Sequence, residues 1–162
     1  MTDVRFENVT FGYGDEPVFE DVNINFCGSG LTCILGPNGV GKTTLVKCIN
    51  KLLKPKSGRV LVDGMDVQTL SLPELARIMA FVPNSSTSVF SMSVAEAILI
   101  GRHPRAGWTT SEKDIEVVDE TIRLLGLEEY SDRDIRELSA GQLQRVLIAR
   151  GLSYPFDHLI PV

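Results

Sequence analysis

One stretch constrains the fold of this chain more than any other: it reads Gly36-Pro37-Asn38-Gly39-Val40-Gly41-Lys42-Thr43-Thr44 and has the pattern G-x-x-x-x-G-K-[ST]. Glycines without a Cβ let several backbone N–H groups point at one triphosphate, and a following helix adds its N-terminal dipole. Lys42 supplies a positive charge for the β- and γ-phosphates, and the Thr43 hydroxyl can join a Mg²⁺ shell. The alternative is a glycine-rich turn that matches by accident, on the order of 1% of the time in a chain of this length. The stretch therefore predicts a phosphate-binding loop.

The residues on either side of this loop fit the prediction. Residues 31–35 are short, apolar and β-branched, which predicts a buried parallel strand. After the loop, Leu45, Ile49, Leu52 and Leu53 recur at helical spacing. Strand, loop and helix are the three parts that a phosphate-binding loop requires.

Composition narrows the class of protein. With 162 residues, of which 43% are hydrophobic and 23% charged, one globular domain is expected. The net charge of −5 argues against a protein that holds nucleic acid on a broad basic surface. The three cysteines lack metal-ligand spacing, and two lie in apolar stretches where we expect them to be buried. No apolar run is long enough to span a bilayer, so a membrane role would come through a partner.

The first half of the chain reads as strands with one short helix. Residues 4–26 predict two strands around a turn, residues 59–64 a strand that ends in an Asp-Gly turn, and residues 78–82 another strand. A short helix is expected after Ser71. Asn84 follows at the carboxyl end of the last strand, the edge where ligands sit in open α/β sheets. Tyr13 lies on the first bend, and its ring could stack on an adenine or simply cover the turn.

The second half is predicted to be helical. Ser93 and Ser111 are expected to cap helices, and Gly126 to end the second. His103 is interpreted as a solvated loop residue, and Trp108 as either a partner contact or local packing. Ser139 and Gln142 have the spacing of a capping box, and the same helix start is also a suitable anion site. Local physics leaves both interpretations open.

These motifs, in this order, resemble those of a known family. Tyr13, the loop at 36–44, a polar residue after Phe81-Val82-Pro83 and the sequence Leu138-Ser139-Ala140-Gly141-Gln142 are similar to the nucleotide-binding subunit of an ATP-binding-cassette (ABC) transporter. The last stretch resembles the LSGGQ signature, with Ala140 in place of one glycine. Details near residues 100–104 and 124–127 are most like the group that imports iron–siderophore complexes, haem or cobalamin.

The resemblance implies a fold and an organisation. The fold is α/β: a P-loop NTPase (RecA-like) core with N-terminal antiparallel strands and a helical insert that carries the signature. We expect a single domain, with a β-rich core over 1–84, a helical insert over 85–135, the signature helix over 136–152 and an aberrant tail over 153–162.

The resemblance also implies roles for single residues. Tyr13 would stack on the adenine of ATP, residues 36–44 would hold its phosphates, and Thr43 and Asn84 would contact Mg²⁺. The signature residues would act in trans, in a head-to-tail dimer with a second ABC subunit: Leu138, Ser139, Ala140, Gly141 and Gln142. Transmembrane permease subunits would hold the protein on the cytoplasmic face of the membrane, and no nucleic acid is expected as a partner.

The end of the sequence departs from the family pattern. The family continues into an apolar strand that ends in Asp-Glu, whereas here residues 153–162 contain Pro155 and Pro161 and no such pair. We therefore expect a C-terminally truncated chain without the last core strands, which binds ATP–Mg²⁺ weakly and hydrolyses it poorly or not at all. The alternative is a soluble, non-transport ABC protein that acts as a nucleotide-gated module in DNA repair or translation.

Overall fold

The computed structural model describes residues 3–27, 30–83, 91–102 and 109–154, and the chain divides into two compact units between Leu75 and Ala76. The predicted Asn84, His103 and Trp108 roles, and the tail from residue 155, lie outside the described residues. The organisation as a single domain with boundaries at 84, 135 and 152 stays a prediction.

The first unit contains an antiparallel sheet with the strand order β2-β1-β3-β4. Its strands are β1 (Val4–Phe11), β2 (Phe19–Phe26), β3 (Ser57–Val62) and β4 (Met65–Asp66). The predicted pair of strands within 4–26 is thus confirmed. So is the Asp-Gly turn: Asp63 and Gly64 have φ values of 49° and 78°, as a two-residue hairpin turn requires at both positions.

Strand β1 does not follow a simple alternation of inward and outward side chains. Phe6 and Val9 are both buried, although they are three residues apart. The pairing with β2 shifts between these two residues, and Asn8 adopts a φ of 51° at the irregularity. Asn8 Nδ2 donates to Asp21 Oδ1 across the pair at 2.7 Å, which fixes the irregularity in place. A bulge of this kind lets a strand change which residues face the core.

Two helices follow in the first part of the chain. Helix α1 (Lys42–Ile49) begins directly after the glycine-rich loop, as predicted, and buries Leu45 and Cys48. Helix α2 (Leu72–Ile78) is the predicted short helix after Ser71. Of the two cysteines expected to be buried, Cys48 is, and burial raises the pKa of its thiol to about 11. The other expectation is wrong, because Cys27 and Cys33 are both exposed.

Two predicted strands are wrong. Residues 31–35 have no regular secondary structure, and the side chains of Leu31 and Leu35 are 92% and 89% exposed. In the other segment Ile78 ends helix α2, and residues 79–83 are irregular. A strand exists only where a neighbour satisfies its backbone N–H and C=O groups, and the described residues give neither segment a paired strand.

The second unit is helical and has its own core. Its helices are α3 (Val94–Leu99), α4 (Glu112–Leu124) and α5 (Ala140–Leu152), with 3₁₀ turns at Ile100–Arg102, Glu128–Tyr130 and Ile135–Glu137. Each α-helix begins at the predicted serine, and Gly126 follows α4 with a φ of 60°. One buried cluster joins the three helices: Val94, Ala97, Ile98, Val118, Ile122, Leu127, Ile135, Val146 and Ala149. None of the described helices is long and apolar enough to cross a membrane.

Candidate nucleotide site

The glycine-rich loop needs glycine at two positions for its backbone alone. Gly39 and Gly41 have φ values of 87° and 91°, in the region that side chains disfavour. Gly41 is also crowded, because a Cβ there would lie 2.8 Å from Val18 Cγ1 and 3.3 Å from Phe19 Cδ1. The left-handed conformation of Gly41 is the one that turns the loop into α1. The hairpin end of the sheet therefore packs directly on the junction of loop and helix.

The first turn of α1 offers backbone donors to a ligand. Its first intrahelical hydrogen bond runs from Leu45 N to Gly41 O at 2.8 Å. The backbone N–H groups of residues 42–44 therefore have no carbonyl partner within the helix. No side chain caps this helix, and its first turn contains no acidic residue. Every other α-helix with an assigned N-cap in the described part of the chain is closed by a serine capping box. The open start of α1 therefore suits an external anion.

Lys42 adds a full positive charge at the same place. Its Nζ donates to Gly36 O at 2.7 Å and to Pro37 O at 2.5 Å, so the side chain folds back over the loop. Both partners are neutral carbonyl groups, and no described carboxylate forms a hydrogen bond or ion pair with residues 36–44. The charge of Lys42 is therefore not neutralised within the described structure.

Tyr13 lies beside this helix. Its ring is 68% exposed and packs edge-to-face against Phe11, with centroids 5.1 Å apart. Its hydroxyl lies 3.4 Å from Thr44 Oγ1. The structure thus brings Tyr13 together with the phosphate-binding loop and leaves most of this residue exposed.

The described residues could hold a metal ion only with help from a ligand. Thr43 is exposed at the start of α1 and presents one hydroxyl oxygen. No group of three or more His, Cys, Asp or Glu side chains in the described ranges could hold a metal. Mg²⁺ commonly binds through one or two protein oxygens, substrate phosphates and water. The single hydroxyl of Thr43 fits this kind of site, in which the nucleotide supplies most of the oxygens.

The signature stretch begins α5 and forms the predicted capping box. Ser139 Oγ accepts from Gln142 N at 3.3 Å, and Gln142 Oε1 accepts from Ser139 N at 2.8 Å. Leu138 packs on the core cluster, whereas Ser139, Ala140 and Gly141 are exposed. A Cβ on Gly141 would meet nothing within 4 Å. Packing within the described chain therefore does not explain a glycine here, although glycine costs about 1 kcal/mol in a helix.

One buried polar network was not predicted from the sequence. Arg102 Nε donates to Asp114 Oδ1 at 2.9 Å, and its NH1 donates to Ser153 O at 2.8 Å. These bonds join the end of α3, the start of α4 and the end of α5. Hydrogen bonds from Ser111, and then from Arg102, lower the pKa of Asp114 to about 2. The cap at Ser111 was predicted, but no local signal links residue 102 to residues 114 and 153.

Comparison with known proteins identifies the family to which the chain is similar. The family model described as ABC transporter matches residues 19–160. An uncharacterized ABC transporter ATP-binding protein of Methanocaldococcus jannaschii is 41% identical over 146 residues, which cover 90% of this chain and 57% of that protein. A probable siderophore transport system ATP-binding protein of Bacillus subtilis is 31% identical over 162 residues, 99% of this chain and 59% of that protein.

A solved structure agrees with these relatives. The crystal structure of a nucleotide-free ATP-binding cassette from an ABC transporter superposes with a TM-score of 0.82 at 29% identity, and covers 94% of this chain and 65% of the other. The chain thus spans less than two thirds of the length of each protein compared. Because the family model matches most of the sequence, and because the fold and both motifs agree with it, this chain belongs to the ABC transporter family, among its ATP-binding subunits.

Proposed function

We propose that this chain binds ATP with Mg²⁺ as the nucleotide-binding part of an ABC-type importer. The single observation that carries this proposal is the start of α1, where an uncapped helix end, a left-handed Gly41 and the un-neutralised charge of Lys42 meet. When a phosphate binds here, each backbone N–H group at the start of α1 and the Lys42 ammonium can donate a charge-assisted hydrogen bond to it. Tyr13 supports a purine ligand, since its exposed ring adjoins the same helix.

The residues divide the work of binding. The amides and Lys42 of loop 36–44 hold the phosphates, and Tyr13 stacks on the base. A magnesium ion, when bound, would neutralise phosphate charge. Thr43 is the described residue that fits it, and Asn84 is the second candidate from the sequence.

The signature stretch supports action on a second copy. Ser139, Ala140 and Gly141 are exposed, and the space over Gly141 is open. A glycine without an internal reason is expected where another molecule approaches the backbone closely. We propose that these residues contact the nucleotide held by a second ABC subunit in a head-to-tail dimer.

Transport would require transmembrane permease subunits, which would place the protein on the inner face of the membrane. The name of the Bacillus subtilis relative refers to siderophore transport, and the sequence details near residues 100–104 favour the same class, which extends to haem and cobalamin. We propose an iron–siderophore, haem or cobalamin importer. No nucleic acid is expected as a partner, given the net charge of −5.

We further propose that these 162 residues alone hydrolyse ATP poorly. Binding of the phosphates stabilises the bound substrate, which does not by itself accelerate the chemical step. Hydrolysis also needs a group that positions and polarises the attacking water. No described carboxylate forms a hydrogen bond or ion pair with residues 36–44. Steady-state phosphate release should therefore stay far below the range of about 1–100 s⁻¹ that is typical of phosphoryl-transfer enzymes.

A ladder of ligands tests the binding site. Calorimetric titration with adenosine, AMP, ADP and ATP should show affinity that rises as the β- and γ-phosphates are added, because Lys42 and the loop amides contact those groups. Equal affinities along the series would contradict the phosphate-binding role.

Co-purification tests the partner. The transport proposal predicts that this chain captures a permease from detergent-solubilised membranes. The amount of permease captured is compared between wild type and Gly141→Ala. Capture of nucleic acid without any permease would instead favour a soluble ABC protein of DNA repair or translation.

A further inference from the structure

The end of the first hairpin rests on the start of α1 through several contacts. Val18 and Phe19 occupy the space beside Gly41, as described above. Lys56 N donates to Thr10 O at 2.9 Å, and Lys56 Nζ donates to Gly14 O. The backbone of the bend that carries Tyr13 is therefore held independently of the Tyr13 side chain.

The Tyr13 ring itself has fewer constraints. Among the described residues, its ring contact is the edge-to-face one with Phe11, and its side-chain hydrogen-bond contact is with Thr44 Oγ1. Thr44 is only 8% exposed, so its hydroxyl needs a partner inside the protein, and Tyr13 OH is the side-chain partner in reach. Thr44 is thus the buried hydroxyl that contacts the phenol end of the ring.

We propose that Thr44 is a positioning residue for Tyr13, and that it couples binding of a nucleobase on the ring to binding of phosphate in the loop. This inference rests on the proposed ATP site. Thr44 shares the first turn of α1 with Lys42 and Thr43, so any displacement of that turn by phosphate reaches the Tyr13 hydroxyl through one contact. A phenylalanine at position 13 would keep the stacking surface and lose the coupling.

A fluorine NMR experiment tests the contact without any nucleotide. The full chain contains three tyrosines, Tyr13, Tyr130 and Tyr154, and is labelled with 3-fluorotyrosine. Tyr13→Phe assigns the Tyr13 resonance. Thr44→Val, which removes the hydroxyl at nearly constant volume, should shift that resonance and leave the other two unchanged. Thr44→Ser, which keeps the hydroxyl, should restore the wild-type position. An unmoved Tyr13 resonance in Thr44→Val would overturn the inference.

Nucleotide titration tests the coupling. Loss of one hydrogen bond predicts that Tyr13→Phe and Thr44→Val each weaken ATP binding about two- to fivefold. The double variant should be no weaker than the weaker single variant, and Thr44→Ser should match wild type. Inorganic tripolyphosphate, which has no base, should bind Tyr13→Phe and wild type equally.

The outcomes separate the inference from the function on which it rests. If ATP binds but the two losses multiply in the double variant, the coupling is wrong and the ATP site stands. If wild type binds no ATP, the proposed function and the coupling both fail, while the fluorine spectra still decide whether Thr44 positions Tyr13.

Discussion

The guanidinium of Arg102 and the carboxylate of Asp114 form an ion pair with 11% and 7% of their side-chain surfaces exposed. Besides the 2.9 Å bond to Asp114, Arg102 donates a hydrogen bond to the backbone at the end of the signature helix. Most surface ion pairs contribute little to stability, whereas a buried charge without its partner is costly. Removal of one partner of this pair should therefore cost more stability than removal of one partner of an exposed pair.

Arg102→Met should destabilise the chain by about 3–5 kcal/mol, because it leaves the Asp114 carboxylate buried without its counter-charge. A matched control is Arg59→Met, since Arg59 pairs with Glu7 at 2.8 Å but is 65% exposed. That change should cost below about 1 kcal/mol. Urea denaturation followed by circular dichroism measures both, and equal losses would contradict the assigned importance of burial.

Acidity should weaken the same site in a defined window. The folded-state pKa of Asp114 is lowered to about 2, below the value of about 3.9 for an unfolded aspartate. The stabilising contribution is therefore complete above the unfolded pKa and is lost as the pH falls toward the folded one. Asp114→Asn should be less stable than wild type at neutral pH, and the difference should shrink between about pH 4 and pH 2. A difference that stays constant across this window would show that the charge of Asp114 does not stabilise the fold.

Gly41→Ala should destabilise the loop more than Gly39→Ala. Both glycines have φ near 90°, which costs a residue with a Cβ about 1–2 kcal/mol. A Cβ on Gly39 would meet nothing within 4 Å, whereas a Cβ on Gly41 would lie 2.8 Å from Val18 Cγ1. The extra loss in Gly41→Ala thus measures the packing of the hairpin on the loop. Equal losses of thermal stability in the two variants would mean that the hairpin moves away from the added methyl group without loss of stability.

The sequence predicted the local features of this fold well. The helix caps at Ser93, Ser111 and Ser139 and the turn at Asp63-Gly64 depend on residues within four positions of each other, so short patterns suffice. The loop and α1 were predicted for the same reason.

Non-local features could not be predicted in this way. Residues 31–35 have the composition of a buried strand, but composition does not provide the neighbouring strand that would pair with them. The Arg102 network joins residues up to 51 positions apart, and no spacing rule links them. The Tyr13–Thr44 contact, at a separation of 31 residues, is of the same kind.

Gly141→Ala should separate stability from function. Alanine in an open helical position should raise the free energy of unfolding by about 0.5–1 kcal/mol, since glycine is the weaker helix former. If the signature contacts a nucleotide in a second copy, the same change should weaken ATP-dependent dimerisation, measured by analytical ultracentrifugation. A variant that is stabilised and dimerises normally would contradict the role in trans.

Lys42→Ala provides the most direct test of ATP binding at the loop. Loss of a charge-assisted contact of about 1.5–3 kcal/mol predicts that the dissociation constant for ATP rises by about 10- to 150-fold. Lys47→Ala is the control, because Lys47 lies in the last turn of the same helix and carries the same charge. Titration with a fluorescent ATP analogue should show the loss in Lys42→Ala and near wild-type affinity in Lys47→Ala. Equal affinities of wild type and Lys42→Ala would contradict the proposal that residues 36–44 hold the phosphates.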